Sequence, residues 1–461
     1  MRPYRVLIFI ACVLACLAVL CLVLPHEVPV GDRTLRWPAL AEVLELNEPA
    51  PDLSFEEDEP ILVDSIAPAD TVSPFPSGEG REEAAPVKPI EVPNLVIDST
   101  TDTRVFLRTF YAALAESSER IVRIVHYGDS QIEEDRMTQQ IRELFQSRYG
   151  GSGAGLLPLA QTIPSRTVRQ EIYLNGRPVS PKQGPRRYLV YGLKRDQRQD
   201  GLYGMMGQVA VMADSLVSGS EEVTAVCRPQ IPSARYDTWR IFADSTITCS
   251  LSGDTVRLSG KGAVYGLSQQ TTTGVIVDNI PMRGCLGMVF TKMDSTQLAT
   301  FYRQENVRLI IMQFGGNAIP TNERPETIRG FISGYRDQIH RLRACAPGAS
   351  ILFIGPSDMI RMVDGEWQTY PMVPYMDKLL RKMAQEEGIA YFSLYRWMGG
   401  AGSMLRWKEN GLAGEDGVHF FRSGARKAGD AVANWLMEGM SKVQSDKVQS
   451  TKDEVQMPNN Q

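Results

Sequence analysis

One short stretch, His126-Tyr-Gly-Asp-Ser130-Gln-Ile-Glu-Glu, has the residue types for nucleophilic chemistry. It sits between an apolar run, Arg120–His126, that reads as a buried strand and a helical pattern over Glu133–Tyr149. A serine there lies at the carboxyl edge of a sheet, where open α/β folds place their sites. The following helix N-terminus would direct partial positive charge at an oxyanion formed on that serine. The plainer reading of Ser130 is a helix N-cap.

A serine nucleophile requires a base, and the chain has four histidines. His26 lies in a polar, proline-rich region, His340 on a charged helix face, and His126 at a strand end. His419 lies in Glu415-Asp416-Gly-Val-His419-Phe-Phe, where Asp416 can share its loop, fix the imidazole tautomer and stabilise the imidazolium. By elimination His419 is the best base. Acyl chemistry also requires donors for the developing oxyanion. The apolar strand Val307–Gln313 runs into Gly315-Gly316-Asn317, whose Asn amide can project beside Ser130. A backbone N–H at Gly284, in Pro-Met-Arg-Gly284, is a second candidate. Each of these turns is also ordinary turn chemistry.

Other motifs are set aside. Gly150-Gly-Ser-Gly-Ala-Gly155 follows a helix and is not followed by Lys-Ser/Thr, so it reads as a flexible cleft rim and not as a phosphate loop. Gly253-Asp254-Thr255 reads as a turn. Gly355-Pro-Ser-Asp358 is either pocket lining or a strand-end turn. Cys227, Cys249, Cys285 and Cys345 form no Cys-x-x-C pair, which argues against zinc. Cys227 and Cys249 could pair as a disulfide in an oxidising compartment or stay as buried thiols.

The elements that carry these residues divide the 461-residue chain into six parts. In residues 1–25, 19 consecutive apolar residues (6–24) follow Arg2 and Arg5. As a helix the run spans about 28 Å, enough for a membrane anchor with the remainder exported. A cleaved signal peptide or a lipidated Cys16 are the alternatives. Residues 26–95 hold 11 of the 28 prolines and 16 Asp/Glu against 4 Lys/Arg, the composition of a disordered acidic tether. That leaves the rest only mildly basic, too little for nucleic-acid binding. Residues 96–164 and 276–440 have an α/β rhythm, with strands at Val307–Gln313 and Ser350–Ile354 and helices at Pro325–Ala344, Tyr375–Glu387 and Ser423–Met440. Between them, 165–275 is a β-sandwich-like insert of short runs such as Glu222–Cys227, Thr238–Phe242, Thr246–Leu251 and Thr255–Leu258. Residues 441–461 read as a disordered tail.

In order, Gly128-Asp129-Ser130, Gly284, Gly315-Gly316-Asn317 and Asp416-Gly-Val-His419 resemble the four sequence blocks of SGNH (GDSL-type) hydrolases. The resemblance implies a flavodoxin-like three-layer α/β fold, Ser130 as nucleophile and His419 as base oriented by Asp416. It also implies an oxyanion hole of the Ser130 N–H, Gly284 N–H and Asn317 amide, with no metal or organic cofactor. The long insert is similar to that of extracytoplasmic members acting on O-acetylated polysaccharide or peptidoglycan, where it looks like a carbohydrate-binding module. The chain departs from the common pattern in Gln131-Ile-Glu-Glu, where a Leu-containing form is usual, and in the Pro-Met-Arg context of Gly284.

The resulting expectation is a membrane-tethered serine esterase that removes O-acetyl groups from an extracytoplasmic glycan or peptidoglycan. A glycan O-acetyltransferase using the same triad and a non-catalytic glycan-binding scaffold are the alternatives.

Overall fold

The computed structural model describes residues 27–30, 33–36, 102–159, 161, 164–179, 222–243, 245–260, 264–293 and 295–455, with side chains for those from 102 to 441 apart from residues 179, 265 and 297. The apolar run 6–24, His26, most of the 26–95 stretch and a further short run of the insert expected as a strand, Tyr188–Tyr191, lie outside them. Among the described residues no helix is long and apolar enough to cross a membrane.

Within the stretch read as a tether, Glu27–Val30 and Arg33–Arg36 pair as an antiparallel hairpin, Val30 opposite Arg33. The residues between them, Gly31-Asp32, are a two-residue hairpin signal inside an otherwise acidic, proline-rich stretch.

Five parallel strands form the central sheet: β1 (Ile121–Gly128), β2 (Gly274–Pro281), β3 (Val307–Gln313), β4 (Ser350–Ile354) and β5 (Ala390–Phe392). Their spatial order is β2-β1-β3-β4-β5, the flavodoxin-like order. Successive side chains on a strand face opposite ways, and both faces here are apolar, as a sheet covered on two sides requires. Val125, Tyr127, Ile310, Met312 and Phe353 pack one way, with residues of the helices Ser295–Gln304, Pro325–Cys345 and Met372–Glu387. Val122, Ile124, Leu309, Ile311 and Leu352 pack the other way, with Arg108–Leu114, Thr138–Tyr149 and Arg422–Val455. Three layers result. The last helix passes the Ser441 boundary of the expected tail because residues 442–455 contain neither Gly nor Pro.

The β-rich region between β1 and β2 is a sandwich. Its five-stranded sheet orders Arg177–Val179, Val168–Leu174, Glu222–Pro229, Thr255–Gly260 and Ile247–Ser252. A three-stranded sheet of Gly155–Leu157, Val264–Gln270 and Thr238–Ala243 faces it. Leu157, Val168, Val223, Val256, Leu258 and Leu267 fill the space between. The sandwich therefore starts at Gly155, ten residues before the boundary suggested by composition. The glycines just upstream are a tight crossing and not a flexible rim. A Cβ on Gly274 would lie 2.2 Å from the Gly151 backbone nitrogen, and one on Gly153 2.3 Å from the Gln269 carbonyl.

Cys227 and Cys249 are free thiols, the first buried and the second exposed. The strand Thr255–Gly260 separates their two strands, and Cys249 lies opposite its Leu258 while Cys227 lies beyond its Thr255 end, so they are more than two strand spacings, about 9–10 Å, apart. That exceeds the reach of a disulfide.

Candidate active site

β1 ends at Gly128, and Asp129 caps the 3-10 turn Ser130–Asp135 by accepting from the Gln131 N–H at 3.0 Å. Because Asp129 takes the capping role, the Ser130 hydroxyl is free for another partner. It lies 2.8 Å from His419 Nε2. His419 Nδ1 lies 2.6 Å from Asp416 Oδ2, so the ring proton is assigned to Nδ1 and Nε2 is left to accept from Ser130. Asp416 Oδ1 also accepts the N–H groups of Val418 and His419, at 2.9 and 3.0 Å. Partial burial alone would raise the Asp416 carboxyl. The bond and charge of His419, with those two backbone donors, outweigh it and hold the group at about 2. It is thus ionised throughout the neutral range and able to stabilise an imidazolium.

The helix expected to begin at Glu133 begins at Thr138. Glu134 and Asp135 take left-handed conformations, φ 59° and 62°, in a stretch that breaks the chain between turn and helix. Side chains hold this strained segment. Asp135 is paired with buried Arg142 and accepts from Thr167 Oγ1, while Arg283 grips Glu133 with bonds of 2.7 and 2.6 Å. The Arg166 N–H donates to the Glu134 carbonyl at 3.2 Å. Helix-dipole assistance at Ser130 falls away accordingly, since the effect is confined to the first turn.

Beyond β3, Gly315 adopts φ 117° and Asn317 Nδ2 donates to Asp129 Oδ2 and to the Cys285 carbonyl, both at 3.2 Å. Asn317 thus touches the residue before Ser130 and the residue after Gly284, so the three expected donors lie in one neighbourhood. Both amide protons are already engaged, and donation to an oxyanion requires one of those long bonds to yield. Gly284 is exposed, with φ 69°. It follows a turn tied to the nucleophile strand by Met282 N–H donating to the Gly128 carbonyl at 2.8 Å.

The other two histidines among the described residues, His126 and His340, are not at the site. His126 is fully buried between Gln313 (3.0 Å) and Thr138 (2.9 Å), and burial pushes it down to about 3. His340 bonds Glu387 at 2.8 Å on an exposed face. Asp358 is spent on Thr369 and the Met404 N–H, both at 2.9 Å. Among the described residues no group of three or more His, Cys, Asp or Glu side chains could hold a metal ion.

Asp129 itself escaped the sequence reading. It is 5% exposed, and burial raises its carboxyl to about 6 despite the donors around it. Relative to an ordinary carboxyl near 3.8, that group favours folding below about pH 4, and the benefit is lost as pH rises through 6. His126 has the opposite sign: its contribution is present above pH 6.5 and lost as pH falls toward 3. Between pH 6 and 4 the two oppose each other at roughly 1.4 kcal/mol per unit each. Asp129→Asn is therefore expected to lose stability more steeply than the native protein over that window, as followed by denaturant melts. Parallel curves would contradict the assignment.

Residues 237–427 match the GDSL-like Lipase/Acylhydrolase family. The span starts inside the sandwich and holds Gly284, Asn317, Asp416 and His419, while Ser130 lies upstream, across the insertion. No curated protein matches the sequence. Among solved structures, a peptidoglycan O-acetylesterase superposes with a TM-score of 0.58 at 19% identity, over 75% of this chain and 98% of its own. An acetyl xylan esterase gives 0.25 at 14% identity, over 36% and 80%. The periplasmic domain of a lipopolysaccharide acetyltransferase from Salmonella ser. Paratyphi A gives 0.26 at 13%, over 37% and 72%. Only the first likeness is close enough to establish a shared fold.

Proposed function

We propose that this chain, a member of the SGNH (GDSL-type) family and a hydrolase of ester bonds, removes O-acetyl groups from an extracytoplasmic glycan or peptidoglycan. The observation that carries the mechanism is the relay Ser130 Oγ, His419 Nε2, His419 Nδ1, Asp416 Oδ2, with links of 2.8 and 2.6 Å.

Ser130 Oγ bonds to the acetyl carbon as its proton passes to His419 Nε2. Asp416, ionised and fixed by the backbone of its own turn, stabilises the imidazolium. The negative oxygen of the tetrahedral intermediate takes donors from the Ser130 N–H, the Gly284 N–H and the Asn317 amide. The bond to the sugar oxygen then breaks, and that oxygen takes the proton from His419. Water attacks the acyl-enzyme, leaving its proton on His419. Ser130 Oγ recovers that proton as the acyl bond breaks, releasing acetic acid, which ionises. No step requires a metal or an organic cofactor.

Three considerations support the substrate class. The apolar run 6–24 behind two arginines gives the chain an export and membrane-anchor address. A second, all-β domain interrupts the catalytic one between its first two strands, giving a further surface for a polymer. The neighbour with the same fold over most of this chain is a peptidoglycan O-acetylesterase. The insert is accordingly assigned to holding the polymer while Ser130 works on its ester.

The test is acetate release from O-acetylated peptidoglycan and from an acetylated polysaccharide, with and without an acceptor oligosaccharide. Free acetate unaffected by the acceptor is the expected result. Transfer to the acceptor would make the enzyme an acetyltransferase, and no release from either polymer would leave the glycan assignment without support.

A further inference from the structure

We propose that Gln131 is a positioning residue for the His419 imidazole, gripping the backbone on both sides of it. The inference rests on the reading of Ser130 and His419 as nucleophile and base. Gln131 follows Ser130 directly and is 8% exposed. Its Nε2 donates to the Val418 carbonyl at 2.6 Å, and its Oε1 accepts from the Phe420 N–H at 3.4 Å. One amide thus closes on the residues before and after His419, 287 and 289 positions along the chain.

The need for such a grip follows from the loop itself. Asp416 holds the imidazole through one bond to Nδ1 and the backbone of the turn through two more, but all three lie within residues 416–419. They set the ring relative to its own turn and leave its distance from Ser130 undetermined. Other contacts hold the loop further from the nucleophile: the Gly414 N–H closes on the His419 carbonyl within the loop, the Ile360 N–H holds the Gly417 carbonyl, and Arg136 Nη1, at the far end of the Ser130–Asp135 turn, holds the Phe420 carbonyl at 3.2 Å. Gln131 instead ties the loop to the residue bonded to the nucleophile. Any shift of the Ser130 turn is then passed to the backbone that carries the base. A leucine at this position fills similar volume and supplies neither bond. A glutamate keeps the acceptor for Phe420 but faces the Val418 carbonyl with a donor only when protonated.

The experiment measures para-nitrophenyl acetate hydrolysis by the full chain in native form and as Gln131→Leu, Gln131→Glu and Ser130→Ala, across pH. Gln131→Leu is expected to lower kcat about 10- to 100-fold with KM within about two-fold, the cost of a base misplaced by a fraction of an ångström to an ångström. Its ratio to the native enzyme stays constant with pH. The Gln131→Glu ratio rises as pH falls toward the carboxylic acid range, because the protonated side chain regains the bond to Val418. With Ser130→Ala inactive, a Gln131→Leu kcat within about two-fold of native overturns the proposal, as does a Gln131→Glu ratio equal at every pH. Retained activity in Ser130→Ala overturns the nucleophile reading instead.

Discussion

Ser130→Ala is expected to reduce kcat/KM toward aryl and glycan acetates by about 10⁴-fold or more, with little change in melting temperature. The loss is large because the relay acts as a unit: with no Oγ, the base 2.8 Å away has nothing to deprotonate. Stability is spared because the hydroxyl is not the cap of its turn. Asp129 supplies that bond to the Gln131 N–H, so the backbone at the end of β1 is held without the serine. Activity within about ten-fold of native would show that another group attacks the ester. A collapse of folding would show that the hydroxyl is structural.

The second large effect is expected from Gly417→Ala. Gly417 lies between Asp416 and His419 with φ 67°, in the region that L side chains rarely adopt. A Cβ there would lie 2.5 Å from Ile360 Cγ1 and 2.9 Å from the Ile360 carbonyl oxygen. The left-handed conformation alone costs about 1–3 kcal/mol. The contact with Ile360, which is buried and backbone-bonded to Gly417, pushes the loop away from the core. Since that loop carries both Asp416 and His419, kcat should fall about 10²-fold or more while the remote helices stay folded. Crystallography of the variant, or kcat with the thermal melt, checks this. A native kcat would mean that the loop can relax without moving the imidazole.

The sequence was legible where a segment is apolar on both faces. Val307–Gln313 and Ser350–Ile354 could be bounded to the residue, because a buried parallel strand is a short continuous apolar run ended by Gly or a polar residue. Val168–Leu174 (VRQEIYL) and Val264–Gln270 (VYGLSQQ) were not legible, since they carry polar residues toward a thin sandwich core or toward the Arg123–Asp278–Gln270 cluster at the joint. The late start of the helix at Thr138 is a tertiary override. Arg283, Arg142, Thr167 and Arg166 hold Glu133, Glu134 and Asp135 in conformations that their local preference opposes.

At the site, residue type and order were enough to bring Ser130, Asp416 and His419 forward, because few other histidines exist and an Asp-x-x-His loop is local. Asp129 and Gln131 gave no such signal. Their roles arise from contacts with Asn317, 188 residues away, and with the 418–420 backbone, 287 and 289 residues away. No periodicity or spacing encodes those contacts.

The most direct measurement is to treat the native protein with a fluorophosphonate ester, which phosphonylates an activated serine hydroxyl, and to map the label by peptide mass. One label per chain on Ser130, appearing in step with loss of esterase activity and prevented by His419→Ala, is the predicted outcome. Complete inactivation with Ser130 unlabelled, or equal labelling without His419, would contradict the account.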